Sequence, residues 1–258
     1  DGRPGSSREP RVSEAPTPPR PDLPRPTGGI LAHGLDARPR ATWRWWEALA
    51  VYVGAFLVGG GASVPVFGVV GQEGLATVVA SMVAALVALG LVVLWLRSLH
   101  PTWTGAIGFP RPPWPDVRAG VVFGIGLYPV IVFVVGALLV VLFRAVTGQP
   151  VQAPEQLPSD LGPGGIAVAV LYAVAVAPVS EELFFRGVLF RSIRDRHGFW
   201  PGALASSLAF GLIHYVPAPA VDTLLLMTVL VFTGLGLALI YERRGSLWAP
   251  MAAHATFN

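Results

Sequence analysis

Glu181, Glu182 and Arg186 stand inside a largely apolar run from Ile166 to Phe190. Charges in such a run are costly to bury, and by default they mark function. Four residues apart on a helix, Glu182 and Arg186 share one face. Two further apolar stretches each carry a histidine, Phe210 to His214 and His254 to Asn258. The second spacing puts His254 and Asn258 on one helix face. A carboxylate, two imidazoles and an amide are what peptide hydrolysis needs, a base for water and donors for the developing oxyanion. Pairing of Arg186 with Glu182 would leave Glu181 as the base. The same residues leave a metal open, because one Glu and two His form a zinc set with a position for water. That set would be Glu181, His214 and His254. Asn258 fits an oxyanion donor better than a ligand, which favours the metal-free scheme.

Glu-Glu-x-x-x-Arg at 181–186, Phe-x-x-x-His at 210–214 and His-x-x-x-Asn at 254–258 occur in a fixed order. In that order and spacing the chain resembles the CAAX protease and bacteriocin-processing (CPBP, or Abi) intramembrane endopeptidases. The resemblance covers about residues 160 to 258. It implies that Glu181 and His214 activate water and that His254 and Asn258 hold the oxyanion. Glu182, Arg186 and Phe210 would support the site. It implies an all-α polytopic bundle of the CAAX-protease type with seven or eight transmembrane helices. The substrate would be a membrane-associated peptide or protein, of the prenylated type by the family's name. Members are also labelled metalloproteases, so the cofactor stands as none or zinc.

The elements that must position these residues are membrane helices. The chain has 258 residues, is 53% hydrophobic and only 13% charged, the balance of a polytopic membrane protein. Apolar segments lie near 45–70, 75–96, 119–143, 164–190, 201–216, 222–241 and 247–258. The second is free of charge and long enough, at ~1.5 Å per residue, to cross a ~30 Å core. The last is ~18 Å long and too short to span. Gly120-xxx-Gly124 is a possible close helix contact, though weak in a Gly-rich chain. Pro178, one turn before Glu181, cannot donate to the helix ladder and frees a carbonyl there.

Residues 1–42 are rich in Pro, Gly, Ser and Arg and read as a disordered cytoplasmic tail, because they cannot bury enough apolar surface to offset ordering. Residues 43–258 read as the protease domain. Sixteen of the 18 basic residues, all Arg, fall in the tail or on alternate loops. By the positive-inside rule those are cytoplasmic, in a multi-pass protein of the cell membrane. All eight Trp lie on or near the same side. There is no cysteine, which excludes a thiolate nucleophile and a disulfide frame. The +3 charge forms no basic face with interleaved aromatics, so nucleic acid is not a partner; the bilayer and a peptide substrate are.

Counted along straight helices, Glu181 lies ~20 Å from Arg194, His214 ~21 Å past Trp200 and His254 ~12 Å past Ser246. These similar depths predict one cavity, open to the cytoplasmic half. Two rivals use the same residues. An ion pathway would show paired repeats with interrupted helices, and no internal symmetry is visible. A non-catalytic scaffold or immunity protein on this fold would lack a catalytic residue, and none is lacking.

Overall fold

The computed structural model describes residues 34–109, 114–152, 154 and 157–258. Among them are eight α-helices and no strand. They are α1 (Trp45–Val69), α2 (Glu73–Leu99), α3 (Trp103–Ala106), α4 (Trp114–Thr147), α5 (Pro163–His197), α6 (Phe199–Leu212), α7 (Ala220–Arg244) and α8 (Trp248–Phe257). The polytopic all-α bundle is as the apolar periods predict. The span count is lower than seven or eight. Five helices, α1, α2, α4, α5 and α7, are long and apolar enough to cross a membrane. Helix α6 has 14 residues, ~21 Å at helical rise, and it ends before Pro217 and Pro219. Helix α8 has 10 residues. The two shorter helices are the ones that carry or lead into the histidines.

Helix α5 is the centre. It touches α1, α2, α6, α7 and α8. Helices α1 and α2 pair as a hairpin, α6 pairs with α7, and α4 pairs with α8. Small residues permit the close pairs. A Cβ on Gly59 would stand 2.5 Å from the Ala84 carbonyl oxygen. The Gly120-xxx-Gly124 pattern is a true helix contact, with Gly120 against Ala249 and Gly124 against Ala253 and Thr256 of α8. This pair fixes the height at which α8 presents His254.

The expected disordered tail is corrected where it can be seen. Residues 1–33 lie outside the described residues, but 34–43 pack on the Arg-rich end of the bundle. Gly34–Ala37 form a 3₁₀ turn, and Leu35 and Trp43 are fully buried. Trp43 donates from Nε1 to the Val188 carbonyl at 3.0 Å. Asp36 accepts from Arg194 at 2.6 Å, and the Pro39 carbonyl from Arg191 at 2.7 Å. Arg194 also pairs with Glu242. Composition missed this strap because its apolar anchors are only two and its polar groups find partners far away in sequence.

Candidate active site

The site begins with a fault in α5. Residues Tyr172–Val176 are π-helical, and the Ala177 N–H bonds back to the Tyr172 carbonyl, five residues earlier. The next bond of that ladder would join residue 178 to Ala173. Pro178 has no N–H to give, so the Ala173 carbonyl is freed as the sequence implies. Asn258 fills the gap, donating from Nδ2 to Ala173 at 2.8 Å. Ser180 does not cap a helix start. Its hydroxyl bonds back to Val176 and Ala177 at 2.9 and 3.1 Å inside a continuous helix. A second π segment, Leu183–Phe190, follows.

Glu182 and Arg186 form the buried pair that their spacing predicts. Arg186 Nη1 lies 3.0 Å from Glu182 Oε1, with both side chains fully buried. Arg186 Nη2 donates to the Gly234 carbonyl at 3.2 Å, and its guanidinium carbon lies 4.5 Å from the centre of the Phe210 ring. A buried guanidinium needs both kinds of partner to offset its desolvation. His254 Nδ1 meets the same Glu182 oxygen at 2.9 Å. His214 Nδ1 meets the Phe210 carbonyl at 2.7 Å. A carbonyl and an ionised carboxylate only accept, so each Nδ1 carries the hydrogen. Each ring is thus held at Nδ1 and turns its Nε2 the other way.

Both Nε2 atoms face Glu181. Oε2 of Glu181 lies 4.0 Å from His214 Nε2 and 3.9 Å from His254 Nε2. It is buried with no hydrogen-bond partner. Two groups each ~2.8 Å from one water, at about a right angle across it, stand ~4 Å apart. The arrangement suits a hydrolytic water shared by a carboxylate and imidazoles. As a metal site it does not fit. No three His, Asp or Glu among the described residues are spaced to hold an ion.

Glu181 and His214 line a cavity of about 440 Å³ between α1, α2, α5 and the end of α6. It runs along the α1–α2 hairpin from Tyr52 and Val92 to Phe67 and Thr77. Val92, Leu183 and Phe184 close it at the Arg-rich end, where Tyr52 stacks on Phe184 at 3.9 Å. Phe67 and Thr77, at the other end, are exposed. Phe56, one turn from Tyr52, also lines the cavity and is exposed. His254 and Asn258 do not line this cavity. His254 stands behind Glu181, and Asn258 is turned to Ala173. The sequence reading missed Tyr52 and Tyr172, which line the cavity beside Glu181. Their only sequence signal is a hydroxyl inside an apolar run.

Residues 163–258 match the family model described as type II CAAX prenyl endopeptidase Rce1-like. The match bears out the resemblance drawn from the three motifs and spans all of them. The candidate membrane peptidase YdiL of Bacillus subtilis (strain 168) is 30% identical over 93 residues, 36% of this chain and 35% of that protein. The alignment thus spans about a third of that relative's length. An uncharacterized 24.3 kDa protein of Escherichia coli is 28% identical over 168 residues, 64% of this chain and 73% of that protein. No solved structure matches.

Proposed function

We propose, from a chain whose residues 163–258 carry the Rce1-like family pattern, that this protein is an intramembrane endopeptidase. The observation that carries the reading is the approach of His214 and His254 to the buried, unpartnered Oε2 of Glu181. Glu181 takes a proton from water while His214, held by Phe210, orients that water. The hydroxide adds to the scissile carbonyl carbon, and the oxyanion forms. His254, in its charged form, keeps its Nδ1 hydrogen on Glu182 and donates from Nε2. Collapse breaks the C–N bond, and protonated Glu181 returns its proton to the leaving amine. Glu181 carries the one proton that moves, and His254 keeps both of its ring hydrogens throughout.

The cavity lining supports a peptide with an apolar partner. Beside Glu181 it is polar, with Ser180, His214 and two Tyr; along the hairpin it is mainly apolar, with Ala80, Ala84, Ala88 and Val92 beside the hydroxyls of Ser63, Thr77 and Ser81. A prenylated C-terminal peptide, which the family description names, fits that division: chain in the apolar arm, peptide bond at Glu181. A secreted peptide or membrane protein with an apolar flank fits equally. The tail and Arg-rich loops are assigned to the cytoplasmic side of the cell membrane by the positive-inside rule.

The test is turnover of a farnesylated peptide carrying a quenched fluorophore by purified full chain in detergent, with products identified by mass spectrometry. Glu181→Gln keeps shape and removes the base, so turnover should fall by ~10²–10⁴-fold or more. Full turnover by that variant would sink the assignment.

A further inference from the structure

The proposed scheme leaves one open question in the geometry. Asn258, the second oxyanion donor that the family resemblance implies, spends its amide N–H on Ala173 and does not line the cavity. Tyr172, one residue before Ala173, does line it, together with Glu181 and His214. Its ring is half-buried. Among the described residues its hydroxyl has no hydrogen-bond partner.

Helix phase explains why Tyr172 is there at all. Tyr172 and Glu181 are nine residues apart. At 3.6 residues per turn that is two and a half turns, which places them on opposite faces. A π turn holds one residue more, and so takes back about 100° of rotation. The π segment Tyr172–Val176 lies between the two residues. It therefore swings Tyr172 from the far side of α5 to about a quarter turn from Glu181. An ordinary α-helix here would point the phenol out of the site. π bulges are rare and recur at functional sites.

The fault is held from outside. Pro178 cannot complete the π ladder at Ala173, and Asn258 supplies the missing hydrogen bond from α8. That hydrogen bond holds the π turn. Tyr172 and Tyr52 both line the cavity with Glu181. The Tyr52 ring is held by its stack on Phe184.

We infer that Tyr172 is a further catalytic residue, whose hydroxyl donates a hydrogen bond to the oxyanion, and that Asn258 is a positioning residue that holds the π turn presenting it. The inference rests on the endopeptidase reading above. No bond to Tyr172 forms or breaks. Its O–H stays with the phenol while the negative charge grows on the former carbonyl oxygen and then returns to the carbon.

A double-mutant cycle on the same farnesylated fluorogenic peptide tests this, with Glu181→Gln run in parallel. Tyr172→Phe keeps the ring and removes only the hydroxyl. Its kcat should fall by ~10²–10³-fold, the cost of one oxyanion donor, with KM little changed. Asn258→Ala should lower kcat as well. In the double variant the loss should not exceed that of Tyr172→Phe, because Asn258 acts through Tyr172. Thermal unfolding in detergent checks that each variant is folded. Undiminished kcat in Tyr172→Phe beside a dead Glu181→Gln overturns the inference and leaves the endopeptidase reading intact. Losses that multiply in the double variant overturn the positioning role of Asn258. Full turnover in Glu181→Gln, or none by the parent chain, overturns the reading and the inference together.

Discussion

Arg186 and His254 meet on a single atom, Glu182 Oε1, at 3.0 and 2.9 Å. The pair Glu182–Arg186 is therefore more than an internal neutralisation. It holds the ring of His254 at Nδ1 and so aims Nε2 at Glu181. Removing one member of a buried pair leaves an uncompensated charge, which costs about 3–5 kcal/mol. Arg186→Ala should unfold at markedly lower temperature in detergent and should lose turnover with it. An unchanged melting temperature in Arg186→Ala would mean that Glu182 is neutral without its partner, and that His254 is held some other way.

Much of this site is legible in the order and spacing of a few residues. Glu182 and Arg186 pair because i and i+4 meet on any helix, regular or not. His214 and His254 reach Glu181 because each ends a short apolar run of similar depth. Pro178 announces its freed carbonyl through chemistry alone. What spacing cannot show is helix phase. The π segments at 172–176 and 183–190 rotate side chains without changing any count along the chain, so Tyr172 stays hidden on a straight-helix reading. The strap at 34–43 is hidden for a different reason. Its burial depends on Asp36, Pro39 and Trp43 meeting α5 some 150 residues later, and composition registers only the Pro and Arg around them.

Helix α8 hangs on the glycine face of α4. A Cβ at Gly124 would stand 2.6 Å from the Ala253 carbonyl and 2.9 Å from Thr256, whereas a Cβ at Gly126 meets nothing within 4 Å. Gly124→Ala should destabilise by about 1–3 kcal/mol, as overpacking does, and should reduce turnover by displacing His254. Gly126→Ala, on the same helix, should be neutral or stabilise by up to about 1 kcal/mol through helix propensity. Melting temperatures of the two variants in one detergent decide the matter. Equal behaviour would show that α4 and α8 are not in register as described.

The strap makes its own prediction. Trp43 is fully buried, bonds Val188 and packs edge-on to Trp95. Trp43→Ala should cost about 3–5 kcal/mol. An exposed neighbour, Trp46→Ala, should cost little. Loss of folded protein in the first variant and not the second would show that the packing of Trp43 on α5 holds this end of the bundle.

Orientation can be read with single cysteines, because the chain has none of its own. Ser98 and Ser159 are both exposed. Ser98 ends α2 on the Arg-rich side, and Ser159 lies between α4 and α5 on the Arg-poor side. Ser98→Cys should label only after the membrane is made permeable, and Ser159→Cys should label in intact cells. The reverse pattern would place the strap and Arg194 outside, against the positive-inside rule.

The last prediction separates a protein-only hydrolase from a metal-dependent one. Both schemes use Glu181, His214 and His254, so loss of turnover in a histidine variant does not distinguish them by itself. The separations at Glu181, 4.0 and 3.9 Å, leave room for a shared water, and the three residues are not spaced as ligands. Zinc would need its nitrogen and oxygen donors at ~2.0–2.2 Å, and so would draw them closer to one another than they stand. Turnover of the farnesylated peptide should therefore survive a strong chelator unchanged. His214→Gln should lower turnover by ~10²–10⁴-fold, and added zinc should restore none of it. The parent chain should bind no stoichiometric zinc by elemental analysis, and its melting temperature should not rise when zinc is added, since a ligand that binds only the folded state must raise it. Turnover lost to chelator and recovered with zinc would sink the metal-free scheme. Glu181 would then be a ligand, and the imidazoles would act through the ion instead of through water.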